Sequence, residues 1–194
     1  MTSIRPATPA DADAVLHLFD DAIAWFVSIG NTGQWGSEPF SSQPRQVERV
    51  RGWVDEAGSW VAEHPDAGVV GFLALGEATE YVPAATEPEL YVRVLIGSRD
   101  PRAKGTGRLL LGFADGQARA AGVDLLRVDC YAGGSGDLIR FYESCGYRPT
   151  GTFTVGAWPG QVLERSLGPA PEAEGGFTDF GVLPDEDPSP IVEA

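Results

Sequence analysis

The sequence predicts a single folded domain of the α/β (α+β) class, and three observations support this fold class. The chain has 194 residues, of which 43% are hydrophobic, which is enough to build one core of ordinary size. Two helix-like segments come first, and short apolar segments of strand length follow them. A glycine-containing loop then joins one strand-like segment to a helix-like one. We therefore expect helices and strands to share one core.

The N-terminal part is predicted to hold one strand and two helices. Residues 3–7 read as the strand, and Thr8 and Pro9 mark a helix start, because threonine caps helices and proline suits the first helical position. Apolar residues at helical spacing extend this helix to about Val27, namely Val15, Leu16, Phe19, Ile23 and Phe26. A second helix is expected over residues 44–56.

Strand-like and helix-like segments alternate through the rest of the domain. Residues 59–63 and 68–76 are apolar and joined by turn residues, which predicts a hairpin. The later elements are a strand at 90–96, a helix at 107–121, a strand at 125–132, a helix at 137–144, and strands at 147–155 and 161–167.

The composition changes beyond residue 167, where proline, glycine and acidic residues dominate. Residues 168–194 contain seven acids and no base, namely Glu172, Glu174, Asp179, Asp185, Glu186, Asp187 and Glu193. This predicts a folded domain over residues 1–167 and a disordered acidic tail over 168–194. A cluster of apolar residues in the tail (Phe177, Phe180, Val182 and Leu183) leaves open that it docks on a partner or on the domain.

Charge and hydropathy exclude several classes of function. The net charge of −14 argues against nucleic acid as a partner and favours cationic ligands such as amines. No apolar run approaches the roughly 18 residues that cross a membrane, and no signal peptide is recognisable, so we expect a cytoplasmic protein. Cys130 and Cys145 are expected to be free buried thiols.

The most informative segment is the loop 102–108, which lies between a strand-like and a helix-like segment. Gly105 and Gly107 have no Cβ atom, so successive backbone N–H groups can converge on an anion at the positive end of the following helix. Arg102, Lys104 and Arg108 add full positive charges at the same place. The loop therefore predicts a phosphate-binding site.

Two further segments accompany this loop. Residues 126–133 are strand-like, and residues 141–147 read Phe-Tyr-Glu-Ser-Cys-Gly-Tyr. With the Arg-x-x-Gly-x-Gly pattern at 102–107, they make residues 3–167 resemble the GCN5-related N-acetyltransferase (GNAT) superfamily. The resemblance implies a mixed, mostly antiparallel sheet of six to seven strands, splayed between the fourth and fifth, with about four helices. It also implies transfer of an acetyl group from acetyl-coenzyme A to a primary amine, with no metal.

The resemblance implies where the coenzyme would bind. The pantetheine arm would lie along Leu95, Ile96 and Gly97, and the Ile96 N–H would polarise the thioester carbonyl. Ser135 stands where the family usually has an asparagine that contacts pantetheine, and its hydroxyl can replace one of the two hydrogen bonds. The pyrophosphate would rest on the loop formed by Arg102, Ala103, Lys104, Gly105, Thr106, Gly107 and Arg108. Ala103 replaces a frequent family glycine, which matters if that residue needs a positive φ.

The resemblance also implies catalytic residues. Tyr142 aligns with the family tyrosine that gives a proton to the departing thiolate. Glu89 and Asp129 are candidates for the base, because carboxylate pKa values rise in a partly buried cleft. Each could instead be structural, and Asp129 could pair with Arg127 or hold a substrate ammonium. Cys130 lies on a buried strand with no neighbouring histidine, so direct transfer in a ternary complex is favoured over a covalent enzyme intermediate.

Three aromatic residues, Trp25, Phe26 and Trp35, lie where this family forms its acceptor pocket. Aromatic walls with nearby acids suit an amine-bearing small molecule, although core packing explains the same residues. Two alternatives stay open: acetylation of a protein or peptide amine, and a coenzyme A-binding sensor or partner module without turnover. The acceptor and the choice between monomer and homodimer are left open as well.

Overall fold

The computed structural model describes residues 1–168, in which seven strands form one sheet flanked by four helices. The strands are β1 (Ser3–Pro6), β2 (Ser59–His64), β3 (Gly68–Gly76), β4 (Glu89–Gly97), β5 (Leu125–Tyr131), β6 (Arg148–Val155) and β7 (Trp158–Ser166). The helices are α1 (Ala12–Ser28), α2 (Pro44–Asp55), α3 (Thr106–Ala120) and α4 (Asp137–Ser144). The predicted tail lies, from residue 169 onward, outside the described residues. No helix within residues 1–168 is long and apolar enough to cross a membrane.

The sheet has the strand order β1-β2-β3-β4-β5-β7-β6. Every neighbouring pair is antiparallel except β4 and β5, which run parallel. This confirms the predicted fold class, with its mixed and mostly antiparallel sheet. The parallel connection is made by the loop 98–105 and α3, which is the crossover that two parallel neighbours require.

Strands β4 and β5 pair over only part of their length. Residues 89–92 of β4 align with residues 125–128 of β5, from Glu89 opposite Leu125 to Val92 opposite Val128. β4 nevertheless continues to Gly97 and β5 to Tyr131. The gap between residues 93–97 of β4 and 129–131 of β5 is named the fork below. It is the predicted splay between the fourth and fifth strands.

A β-bulge at Arg93 changes which way β4 faces. Ala74 of β3 pairs with Val94 and Leu75 pairs with Val92, so Arg93 is the extra residue. Its guanidinium forms an ion pair with Glu56 at the end of α2. Because the bulge shifts the alternation, Val92 and Leu95 face the same side of the sheet although they are three residues apart.

The two faces of the sheet carry separate hydrophobic clusters. One lies against α3 and α4 and contains Leu95, Leu110, Val128 and Tyr142. The other lies against α1 and α2 and contains Phe19, Phe26, Phe72, Val94 and Ile96. Each helix therefore buries its apolar stripe against one face, and a ligand can reach both faces together only where the strands separate.

The predicted helix start at Thr8 is a short 3₁₀ turn, Pro9–Asp11, which leads directly into α1. Asp11 accepts hydrogen bonds from the Thr8 N–H at 2.8 Å and from Arg5 at 2.8 Å. These bonds, chiefly those from Arg5, lower the pKa of Asp11 to about 2. The carboxylate thus ties β1 to the beginning of α1.

Candidate functional site

The loop after β4 presents backbone N–H groups at the beginning of α3. A 3₁₀ turn, Pro101–Ala103, precedes Gly105, which has a φ of +86° and so occupies the left-handed region that favours glycine. Leu109 donates to the Gly105 carbonyl at 3.0 Å, which begins the helical hydrogen bonding. Thr106, Gly107 and Arg108 come before Leu109 in the chain. Because their N–H groups lie in the first turn of the helix, they have no acceptor within α3.

The cations of the loop are exposed and interact with nearby acceptors. Arg102 forms an ion pair with Asp100 and donates to the Asp66 carbonyl at 2.8 Å. These hydrogen bonds from Arg102 lower the pKa of Asp100 to about 2. Arg108 donates to the Ser144 carbonyl at 2.7 Å. Positive charge therefore surrounds the amides at the start of α3.

The backbone at position 103 does not require the glycine that the family often has there. Ala103 is buried, and no non-glycine residue among those described has a positive φ. The substitution is therefore compatible with the backbone of the loop.

One glycine outside the loop, Gly71 of β3, lets α3 approach the sheet. A Cβ on Gly71 would lie 2.5 Å from the Thr106 methyl group, whereas one on Gly97 would make only an ordinary contact, 3.7 Å from the Gly107 nitrogen. The beginning of α3 thus contacts the ends of both strands. Gly71 was missed by the sequence reasoning, although a glycine inside an apolar strand is itself a signal of close approach.

The register of β4 decides which of its N–H groups face the fork. The Ser98 N–H donates to the Val70 carbonyl of β3 at 2.8 Å, so alternation directs the Ile96 N–H toward β3 as well. The N–H groups of Leu95 and Gly97 consequently face the fork. The expectation that the Ile96 N–H polarises a thioester in the fork does not agree with this register, because the donors on that side are the N–H groups of Leu95 and Gly97.

Tyr142 of α4 lies beside the fork, in the same hydrophobic cluster as Leu95 of β4 and Cys130 of β5. Its ring packs edge-on against Phe141 at 5.5 Å and Tyr147 at 5.6 Å between centroids, and only 1% of the residue is exposed. Burial raises the pKa of this phenol well above its usual value, so Tyr142 is a neutral O–H donor at physiological pH. Burial also raises the pKa of Cys130 to about 12, which leaves this thiol protonated.

Asp129 is the first residue of β5 beyond the paired segment, so it lies at the closed corner of the fork. It is buried, and one of its carboxylate oxygens accepts a hydrogen bond from the Tyr91 hydroxyl of β4. Tyr91 was missed by the sequence reasoning. The only signal for it is the strand register, because Tyr91 and Asp129 are 38 residues apart in the chain.

Glu89 lies at the other end of β4. Both of its carboxylate oxygens accept from Arg127, at 3.1 and 3.2 Å, and Arg127 also donates to the Pro83 carbonyl at 2.8 Å. Six residues of strand separate Glu89 from Leu95, about 20 Å. The structure therefore brings Asp129 and Tyr142 to the fork and does not bring Glu89 there. Arg127 pairs with Glu89. The sequence alone had left open a pair between Arg127 and Asp129.

A pocket of about 340 Å³, including the part open to solvent, lies beyond the ends of α1 and β5. Trp25 and Phe26 of α1 line one side, Ser135 and Leu138 line the α4 side, and Tyr131 lies between them. Phe26 belongs to the hydrophobic cluster on one face of the sheet and Leu138 to the cluster on the other. The pocket therefore reaches both faces.

The remaining predicted pocket residues have distinct positions. Trp35 packs edge-on against Phe26 with centroids 5.3 Å apart, so it supports the pocket wall from behind. The Ser135 hydroxyl donates to Asp137, while the backbone carbonyl of Ser135 accepts from Arg140 at 2.9 Å. Gln34 and Asn31 also line the pocket and were missed, because a polar loop residue carries no sequence signal for this position.

Comparison with known proteins identifies relatives of this arrangement. The model of the acetyltransferase (GNAT) family matches residues 23–147. The Macaca fascicularis protein named "Probable N-acetyltransferase 14" is 30% identical over 140 residues, which is 64% of this chain and 55% of that protein. The chain thus spans about half the length of this curated relative.

Solved structures share the fold at low sequence identity. The PaiA N-acetyltransferase of Thermoplasma acidophilum, in complex with coenzyme A, has a TM-score of 0.63 and 16% identity, over 86% of this chain and 99% of that one. The yncA protein of Salmonella typhimurium, with its cofactor acetyl-CoA, has a TM-score of 0.57 and 17% identity, over 95% and 98%.

Proposed function

The chain belongs to the acetyltransferase (GNAT) family, and from this premise we propose that it moves the acetyl group of acetyl-coenzyme A to a primary amine of a small molecule, directly in a ternary complex. One observation carries the proposal. The β4 edge of the fork ends at Gly97 beside the first amides of α3, and Tyr131 on its β5 edge lines the aromatic pocket.

The residues of the loop fit the diphosphate of the coenzyme. The N–H groups of Thr106, Gly107 and Arg108 are donors at the positive end of α3, which favours an anion. The Gly105 backbone is left-handed, and the space where a Cβ would stand is open. Arg102, Lys104 and Arg108 supply charge for affinity. The solved neighbours that hold coenzyme A or acetyl-CoA support the same assignment.

We assign to the fork the groups that acyl transfer requires. The Leu95 N–H faces the fork, where a donor suits the oxygen of a thioester. Tyr142 is a neutral phenol beside the fork, and a neutral phenol can donate a proton to a leaving thiolate. Because Cys130 is protonated and buried, the chemistry favours direct attack by the amine over an acetylated cysteine.

We assign Asp129 as the carboxylate that meets the incoming amine. It lies at the corner of the fork, and the Tyr91 hydroxyl fixes its orientation. A carboxylate held there binds a substrate ammonium or takes its proton. The aromatic wall formed by Trp25 and Phe26 suits an organic amine, because aromatic faces attract cations.

The experiment is a thiol-release screen with acetyl-coenzyme A against a broad library of small amines, together with peptides bearing a free N-terminus or a lysine, at pH 6.5 and 8.5. We expect turnover with a class of small amines. Turnover with peptides only would indicate that the acceptor is a protein amine and not a small molecule. Coenzyme A binding without turnover on any amine would favour a sensor module.

A further inference from the structure

Arg99 connects the phosphate loop to the wall of the acceptor pocket. It follows Ser98 at the end of β4, and its guanidinium carbon lies 3.6 Å from the centroid of the Trp25 ring. Trp25 belongs to α1, on the face of the sheet opposite to α3, and lines the pocket. A guanidinium stacked at this distance restrains an aromatic ring that is only partly buried.

Hydrogen bonds link the backbone on one side of Arg99 to the sheet and on the other side to the phosphate loop. On one side, Ser98 donates its N–H to the Val70 carbonyl at 2.8 Å, which anchors it to the sheet. On the other side, the Asp100 N–H donates to the Ser98 hydroxyl at 3.1 Å. The Asp100 carboxylate accepts from the Arg102 backbone N–H at 2.8 Å and from its guanidinium.

An anion bound to the loop would compete for one of these bonds. Asp100 carries one negative charge and holds Arg102 at the surface, whereas a diphosphate carries about two at neutral pH. A diphosphate on the amides of α3 would therefore draw the Arg102 guanidinium away from Asp100. Asp100 would lose an ion-pair partner next to Arg99, and the segment that carries Arg99 would adjust.

We propose that Arg99 is a positioning residue that couples occupancy of the phosphate loop to the acceptor-pocket wall, through its stacking on Trp25. The inference rests on the function proposed above, in which the loop holds the diphosphate of coenzyme A. Its consequence is that the pocket for the amine changes when the coenzyme binds, although Trp25 and the loop belong to different elements.

Tryptophan fluorescence during a coenzyme A titration tests this coupling, with calorimetry to measure the dissociation constant independently. The chain has five tryptophans, so the signal is assigned with Trp25→Phe, and Trp60→Phe is the matched control because Trp60 packs on Phe113 of α3. We expect coenzyme A to change the emission of the native protein and of Trp60→Phe. The change should be lost in Trp25→Phe.

Arg99→Met, which keeps an apolar stem without the charge, should reduce the emission change at least twofold. Its dissociation constant for coenzyme A should stay within about threefold of the native value. Arg99→Lys, which restores a cation without the planar group, should lie between Arg99→Met and the native protein.

The outcomes separate this proposal from the one on which it rests. Absence of coenzyme A binding in calorimetry would overturn the proposed function, and the coupling with it. Binding without any change in Trp25 emission would overturn the coupling alone. An emission change in Arg99→Met equal to the native one would show that Arg99 does not transmit it, and would overturn its assignment.

Discussion

Strands β4 and β5 pair with each other at one end, called the closed end here, and separate at the other, the open end. At the closed end, four residue pairs join them, and Arg127 bridges the strands by its ion pair with Glu89. At the open end the strands separate, and the Leu95 N–H and the Asp129 carboxylate lie along the gap.

The difference teaches that the two ends of one strand pair place their carboxylates in different surroundings. Glu89 and Asp129 are both carboxylates on this pair, and both were candidates for the catalytic base. Both oxygens of Glu89 accept from Arg127, whereas Asp129 accepts from the Tyr91 hydroxyl and lies just beyond the last residue pair of β4 and β5. The position of the two carboxylates relative to the end of pairing favours Asp129 over Glu89 as the candidate base.

Removing the Tyr142 hydroxyl, beside the open end, should have the largest effect on turnover. In Tyr142→Phe we expect kcat to fall by about 10² to 10⁴-fold, the usual contribution of a positioned general acid. Since the pKa of Tyr142 is raised well above 10, native kcat should show no descending limb from this group up to about pH 9. Steady-state thiol release across pH measures both, and an unchanged kcat in the variant would remove Tyr142 from the mechanism.

Removing the charge of Asp129, the carboxylate at the corner of the fork, should have the next largest effect. Asp129→Asn keeps the shape of the side chain and an oxygen for the Tyr91 hydroxyl, but it removes the charge. We expect kcat/KM for the amine to fall about 10 to 100-fold, with little change in thermal stability. The matched control is Glu89→Gln, whose kcat/KM should stay within about twofold. Equal losses in the two variants would contradict the distinction between the ends.

The phosphate loop should show a smaller, binding-specific effect. Gly105→Ala places a Cβ on a residue with a φ of +86°, which strains the loop by about 1 to 2 kcal/mol. We expect the dissociation constant for coenzyme A to rise about tenfold in calorimetry. Gly112→Ala is the control, because Gly112 lies within α3 with open space around it. Equal affinities in the two variants would mean that the left-handed residue does not shape the site.

Breaking the closed end should destabilise the fold with little effect on turnover. Arg127→Met leaves the Glu89 carboxylate without its cation in a largely buried position, which costs about 3 kcal/mol. Urea unfolding measures this loss, and Arg127→Met with Glu89→Leu should recover part of it. Under conditions where the protein stays folded, kcat should remain within about twofold. A loss of kcat comparable to that of Asp129→Asn would give the closed end a part in the chemistry.

Asp11, which lies away from both ends of the β4–β5 pair, serves as a reference for a carboxylate with a structural role only. The pKa of Asp11 is about 2 in the folded protein, below its ordinary value of 3.8, so its contribution is present above about pH 4. That contribution is lost as the pH falls through 2. We expect Asp11→Asn to lower the free energy of unfolding by about 1 kcal/mol at pH 7, since Arg5 is partly solvated.

Urea unfolding of the native protein and Asp11→Asn at pH 7 and pH 2.5 measures this dependence. The difference between them should shrink at the lower pH. A constant difference would indicate that the Asp11 bonds act through packing and not through charge. No change in kcat is expected at pH 7.

The elements of the fold were largely predictable from the sequence. The helix at residues 137–144 was predicted with the bounds that the structure has, and the seven strands lie within a few residues of their predicted positions. The glycine loop was predicted between a strand and a helix, where it lies. These features depend on periodicity, capping and turn residues within short stretches, so neighbouring residues encode them.

The partners across strands were decided only by the tertiary structure. The bulge at Arg93 sets the alternation of β4, and with the register it places the Leu95 N–H, not that of Ile96, at the fork. The register likewise joins Glu89 to Arg127 and Tyr91 to Asp129, each 38 residues apart. A single-residue shift of register would turn every side chain to the other face, and no local pattern in the chain specifies that shift. The sequence by itself thus determined the elements and the position of the glycine loop, while long-range pairing decided which carboxylate lies at the fork.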